Sequence, residues 1–190
     1  MEKDDESTDK SVKKVVVIGP ECTGKSTLSS KLAEHYSTCW VKEYARRYID
    51  DLNRPYEADD LLAIAQGQLA NEDRLVLKAK DLLICDTDLI VIKIWSEFKY
   101  GFCHQEILHA IETRRYDLYL LTYIDLPWEE DRQRENPHLR SYFYDLFKST
   151  LQELKVPFVE IKGEWPERKQ MAIKAIDNIL TPPAGCIKKQ

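Results

Sequence analysis

Lys14-Val15-Val16-Val17-Ile18-Gly19-Pro20-Glu21-Cys22-Thr23-Gly24-Lys25-Ser26-Thr27 is the stretch that decides the fold of this chain. Lys14–Ile18 is a short β-branched run of the kind shown by a strand buried on both faces. Gly19–Ser26 matches G-x-x-x-x-G-K-[ST] in full, and a helical pattern follows from Lys25 to about Tyr36, with Leu28, Leu32 and Tyr36 on one face. Strand, glycine-bearing turn and helix are the context in which this motif cradles phosphate; a chance strand-to-helix turn is the disfavoured alternative. Gly19 and Gly24 let the backbone curl so that successive N–H groups point at phosphate oxygens. Lys25 reaches the β- and γ-phosphates and Ser26 offers a hydroxyl to Mg²⁺. The helix N-terminus adds the positive end of its dipole. Glu21, Cys22, Thr23 and Thr27 complete the candidate ATP-binding loop.

Outward from the loop, apolar runs alternate with helical patterns. Strands are expected at Cys39–Val41, Leu82–Asp86, Leu118–Ile124 and Phe158–Ile161. Helices are expected at Ala58 to about Lys80, Leu89–Phe98, His104–Arg114, Ser141–Leu154 and Pro166–Leu180. In the long helix, Leu61, Ile64, Ala65, Leu69, Leu75 and Leu77 give an apolar side, and Gly67 is an unusual interruption. This alternation implies an α/β fold with a parallel sheet covered on both faces. One P-loop domain is expected over 13–181. Residues 1–12 and 182–190 read as loose tails, and the polar segment of about 128–140 reads as a mobile lid.

The composition fits one soluble globular domain: 190 residues, 43% hydrophobic and 32% charged. The N-terminal stretch has no apolar core of a signal peptide, and no run approaches the length of a membrane span. Five cysteines form no C-x-x-C pair, which suggests a reducing, cytoplasmic setting. A net charge of −5 argues against a broad nucleic-acid surface. Positive charge is instead local, at Lys25 and at Arg132, Arg134 and Arg140. Oligomeric state stays open, a homo-oligomer included.

Asp86 closes a buried strand at the edge where ligands sit in open parallel sheets, so it suits a Walker-B role at Mg²⁺. Asp88 is read as facing ligand in preference to capping the next helix. Glu43 lies just past a strand end, where a carboxylate can take a proton from a hydroxyl. Tyr44, Tyr100, Trp40 and Trp95 are candidates to stack on a base, and Gln66 and Gln68 to read an amide or base edge. Arginines in a lid over a transferring phosphoryl group would stabilise its charge and exclude water. No guanine-reading Asn/Thr-Lys-x-Asp segment supports a GTPase switch.

Together these residues resemble the ribosylnicotinamide kinase domain of bacterial NadR proteins and the wider NadR-like AAA-type ATPases. The resemblance rests on Gly19–Thr27, Glu43-Tyr44-Ala45-Arg46, Gly67-Gln68, Asp86-Thr87-Asp88, Tyr100-Gly101 and Pro127-Trp128-x-x-Asp131-x-x-Arg134 with Arg140. It implies a three-layer P-loop sandwich with strand order 2-3-1-4-5. It implies ATP–Mg²⁺ as phosphoryl donor and the 5′-hydroxyl of nicotinamide riboside as acceptor, a step of NAD metabolism. In that picture Lys25 and Ser26 hold the donor, Asp86 or Glu43 polarises the hydroxyl, and Arg134 and Arg140 belong to the lid. Tyr44, Arg46, Gln68, Asp88 and Tyr100 lie towards the acceptor. The lid departs from the family's usual Asp-Gly-Leu-Arg, reading Asp131-Arg132-Gln133-Arg134. The kinase module is expected without the nucleotidyltransferase and DNA-binding domains that NadR proteins often carry. The alternative to a kinase is an ATPase or nucleotide-dependent regulator with no small acceptor.

Overall fold

The computed structural model describes residues 11–181; the expected tails at 1–10 and 182–190, with Cys186, lie outside the described residues. Val12, assigned to the N-terminal tail from sequence, packs partly against the core.

Five strands form one parallel sheet in the order β2-β3-β1-β4-β5. They are β1 (Lys13–Ile18), β2 (Cys39–Val41), β3 (Leu82–Asp86), β4 (Leu118–Thr122) and β5 (Phe158–Ile161). Among the described residues, seven α-helices connect or follow them: α1 (Lys25–His35), α2 (Tyr44–Asp51), α3 (Ala58–Val76), α4 (Leu89–Tyr100), α5 (Gln105–Thr113), α6 (Arg140–Glu153) and α7 (Trp165–Leu180). This is the α/β fold of P-loop kinases, with the expected strand order.

The alternation of side chains along β1 divides the core. Val15 and Val17 face α1 and α7, where they meet Leu28, Leu32, Ala172 and Ile176. Val16 and Ile18 face α4 and α6, where they meet Ile90, Ile94, Phe143 and Phe147. All four are fully buried, which explains why the run is apolar without alternation. A third cluster joins Leu61, Ile64 and Ala65 of α3 to Leu89 and Ile92 of α4 and Ile107 of α5, and α2 packs on it through Tyr44, Ala45 and Tyr48.

Several boundaries differ from the sequence expectation. The segment after β2 forms α2, where the sequence reading placed no helix. α3 stops at Val76, leaving Leu77 85% exposed and off the apolar side assigned to it. α4 runs on to Tyr100 and ends on Gly101, whose φ of 77° supplies the left-handed C-cap. β4 ends at Thr122, short of the expected Ile124, and the Thr122 hydroxyl reaches the Ile18 carbonyl at 3.1 Å and the Thr23 hydroxyl at 2.7 Å. No helix among the described residues is long and apolar enough to cross a membrane.

Candidate active site

Parallel pairing brings the C-terminal ends of β1, β3 and β4 together. Val17 sits opposite Asp86, and Ile18 opposite Leu121. The phosphate loop leaves β1 at that edge. Gly19 has a φ of 145°, and a Cβ there would lie 2.5 Å from the Thr122 hydroxyl. Gly24, with φ 78°, begins α1, and its missing side chain admits the Trp165 ring. Both glycines are therefore required by conformation and by close approach.

Arg168 braces this loop from behind. The side chain is fully buried. It donates to the carbonyls of Thr23 (3.0 Å), Tyr123 (2.9 Å) and Gly163 (2.8 Å) and pairs with Asp125. Sequence reading missed this residue, since its partners lie far away along the chain.

The loop forms one wall of a cavity of about 400 Å³. Gly19, Glu21, Cys22, Thr23, Gly24, Lys25, Ser26 and Thr27 all border it. The Lys25 ammonium folds back to donate to the Pro20 carbonyl at 2.8 Å. Asp86 lies behind Ser26, outside the lining, and is 1% exposed. Burial pushes its carboxyl up to about 7 and the Glu43 charge adds to this, while Ser26 and Lys25 pull the other way. One Asp86 carboxylate oxygen is buried without a partner. No cluster of three or more His, Cys, Asp or Glu among the described residues would hold a metal alone. An orphan carboxylate oxygen beside a hydroxyl at a phosphate loop fits Mg²⁺, which takes one or two protein ligands and leaves the rest to phosphates and water.

The far half of the cavity lies between α2, α3 and α4. Glu43, Arg46 and Gln68 line it, as does Trp95 among the stacking candidates. Leu61, Ile64, Val91 and Ile92 make its apolar wall. Thr87, noted from sequence only within Asp86-Thr87-Asp88, also lines it, as do Tyr56, Arg54 and Lys99, which were not singled out from sequence. Lys99 stands over the Tyr56 ring at 3.6 Å, and desolvation raises the Tyr56 hydroxyl to about 12. Thr87 and Cys22 both hold positive φ (69° and 54°), a conformation disfavoured for side-chain-bearing residues and concentrated at working sites.

The segment between β4 and α6 closes over the cavity through contacts to both sides. On the loop side, the Cys22 sulphur accepts from the Glu129 N–H (3.1 Å) and the Arg134 guanidinium (3.3 Å). Glu21 accepts from the N–H groups of Glu135 (3.3 Å) and Asn136 (3.4 Å), and burial raises its carboxyl. On the α2 side, Asp131 pairs with Arg46, and Arg132 and Gln133 both reach Asp50. Arg134 lines the cavity. Arg140, at the start of α6, does not; it donates to the carbonyls of Cys22 (3.1 Å) and Leu126 (3.0 Å), so it ties the start of α6 to the loop.

Three acceptor-side expectations are corrected by this geometry. Asp88 is the N-cap of α4, accepting from Ile90 N–H at 3.0 Å and Tyr119 hydroxyl at 2.9 Å, and it does not line the cavity. Tyr44 turns its ring against Gly67, where a Cβ would come within 2.2 Å of it; it borders a separate shallow depression. Tyr100 donates to the Tyr56 carbonyl at 2.9 Å and supports that residue from outside the cavity. Of the other candidates, Gln66 reaches exposed Glu106 at 3.4 Å, and Trp40 stands under Lys42 away from the cavity.

The family model of an AAA domain, AAA_28, matches residues 14–168. The chain belongs to this family. The AAA domain is 30% identical over 159 residues to the trifunctional NAD biosynthesis/regulator protein NadR of Salmonella typhimurium, a match covering 80% of this chain and 38% of that protein. It thus spans about two fifths of the length of this relative. A solved NadR protein in complex with NR superimposes with a TM-score of 0.78 at 24% identity, over 94% of this chain and 54% of the other. Thymidylate kinase from Ehrlichia chaffeensis superimposes with a TM-score of 0.62 at 15% identity, over 88% of this chain and 98% of that one. The AAA domain is therefore homologous to the kinase region of NadR and has a NadR-like P-loop kinase fold.

Proposed function

We propose that this protein is an ATP- and Mg²⁺-dependent small-molecule kinase that transfers the γ-phosphate to the 5′-hydroxyl of a nucleoside, with nicotinamide riboside the leading acceptor. The observation that carries this reading is the charge state of the far half of the cavity. Its cations are already matched: Arg46 by Asp131, Arg132 by Asp50, Arg54 by Asp60 at 2.7 Å, and Lys99 by Glu135 at 4.0 Å and the Tyr56 ring. Among the described residues, only Lys25 and Arg134 line the cavity with no carboxylate at salt-bridge distance. Both face the loop and lid, where the donor's phosphates belong. An acceptor that already carried a phosphate would find no free cation in the far half. An uncharged or cationic nucleoside fits it, and the related NadR structure is a complex with NR.

The roles follow from position. Lys25 swings from the Pro20 carbonyl to the β- and γ-phosphates. Arg134 meets the charge spread over the transferring group, where such a cation acts mainly in the transition state. Glu43, at the mouth of α2, accepts the proton of the attacking hydroxyl. Ser26 and Asp86 would hold Mg²⁺, which when bound would supply positive charge to offset that of the donor's phosphates. The lid excludes water so that the hydroxyl, not solvent, takes the phosphoryl group. These assignments make the unpaired Asp86 oxygen and the mid-range Asp86 carboxyl intelligible.

The test is ADP release from ATP–Mg²⁺ with a panel of nucleosides against a control without acceptor. Release that requires a nucleoside supports the kinase. Release at the same rate without one would replace it with the ATPase reading.

A further inference from the structure

Gln68 lies on α3 with its side chain 3% exposed and on the cavity wall. Its amide oxygen accepts the Tyr44 backbone N–H at 2.8 Å. A backbone N–H can only donate, so this contact decides which end of the amide is which. The oxygen faces α2, and the NH₂ end finds no partner among the described residues. A buried donor without a partner is costly and rare in folded proteins. The arrangement is also firmly held. The Tyr44 ring occupies the space that a side chain at position 67 would need, so the residue preceding Gln68 fixes the residue that orients it. Gln68 shares the far half of the cavity with apolar Leu61, Ile64, Val91, Ile92 and Trp95, and with the charged Glu43 and Arg46.

We propose that Gln68 is the specificity-determining residue of the acceptor half, its NH₂ donating to a hydrogen-bond acceptor on the edge of the substrate's base. The proposal rests on the nucleoside reading above and adds a polarity to it. The site takes ribosides whose base presents a carbonyl oxygen or an unprotonated ring nitrogen at that edge. It discriminates against bases that present only an amino group there, because two donors then face each other at a buried position. The oxygen of Gln68 cannot turn to serve such a base without leaving the Tyr44 N–H unpaired.

Three ribosides that differ in one substituent test this on the full chain: nicotinamide riboside, the unsubstituted pyridine riboside and the 3-aminopyridine riboside. Affinity is read by calorimetry and turnover by ADP release. The native protein is expected to favour the carboxamide over each of the others by about 10- to 100-fold in kcat/KM, the range for a buried hydrogen bond made or lost. Gln68→Glu keeps an oxygen towards Tyr44 and replaces the donor by a second acceptor. It is expected to abolish that preference and favour the amino compound. A purely structural role would lower the melting temperature without moving the ratio, and an unchanged ratio overturns the proposal. The ranking by the native protein stands independently of whether the variant folds. Equal kcat/KM for all three overturns the role of Gln68 while leaving the kinase reading intact. Failure of all three to bind or react overturns nicotinamide riboside as the acceptor and this assignment with it.

Discussion

The Arg168 guanidinium donates to the Thr23 carbonyl across 3.0 Å, so the first turn of α7 holds the shape of the phosphate loop. Four acceptors converge on this one buried side chain. Arg168→Leu leaves three carbonyls and the Asp125 carboxylate short of a partner. A loss of about 3–5 kcal/mol is expected, the scale for breaking a buried charge network. Thermal unfolding checks it: a fall of at least about 6 °C is the expected outcome for a domain of this size. Arg168→Lys keeps the charge but not the fork, and should recover only part of that fall.

Lys25→Ala is expected to abolish turnover, measured as ADP release at saturating acceptor. Arg134→Ala should act differently, lowering kcat by about 10³-fold or more with little change in ATP affinity, as for a cation engaged in the transition state. Equal losses in kcat and ATP affinity would place Arg134 in ground-state binding instead.

Gly67→Ala should destabilise, although alanine is the better helix former by about 1 kcal/mol. The added Cβ would meet the Tyr44 ring at 2.2 Å, and the ring must leave. A net loss of about 1–3 kcal/mol is expected from overpacking, read in urea unfolding. The double change Gly67→Ala with Tyr44→Ala should be less destabilised than the sum of the two singles, because the two residues share one volume.

The lid ion pairs predict a split between stability and activity. Asp131→Ala and Asp50→Ala remove the exposed partners of Arg46 and Arg132. Exposed pairs contribute about 0–1 kcal/mol, so melting should hardly change. Acceptor-independent ATP hydrolysis should rise, because the same pairs hold the lid against α2. Raised salt should have the same effect on the native protein.

Asp60 gives the fold an acid-sensitive joint. The Arg54 guanidinium, with the Glu57 N–H and Tyr48 hydroxyl, holds its carboxyl well below the usual carboxylate range. A depressed carboxyl contributes stability that is present above its unfolded value near pH 4 and is lost as pH falls towards its folded value. The melting temperature of Asp60→Asn should therefore lie below that of the native protein at neutral pH. The gap should narrow steadily below about pH 4.

Much of the donor half was legible because its chemistry is local in sequence. Gly19–Ser26 carries its own context, and Asp86 ends an unmistakable strand. Five strands were placed because each is a short apolar run with turn residues around it. The acceptor half was less legible because its parts converge from separate elements. Tyr56, Arg54 and Lys99 meet only when α3 and α4 pack, and no spacing announces that. Asp88 shows a different limit. A carboxylate just before a helix suits both a cap and a ligand, and the buried Tyr119 hydroxyl tipped it to the cap. Tyr44 and Tyr100 were plausible as stacking rings, but which face of a helix an aromatic covers depends on neighbours such as Gly67. α2 escaped notice because it is short and none of its residues is fully buried.

Trp165 lies against Gly24 at the donor end, and Trp95 lines the acceptor end. The fold has thus placed one indole chromophore behind the phosphate loop and another on the wall of the cavity's far half. On the proposed function, nucleotide would settle in front of one and nucleoside beside the other, so filling of either half becomes readable by intrinsic fluorescence, with no label attached.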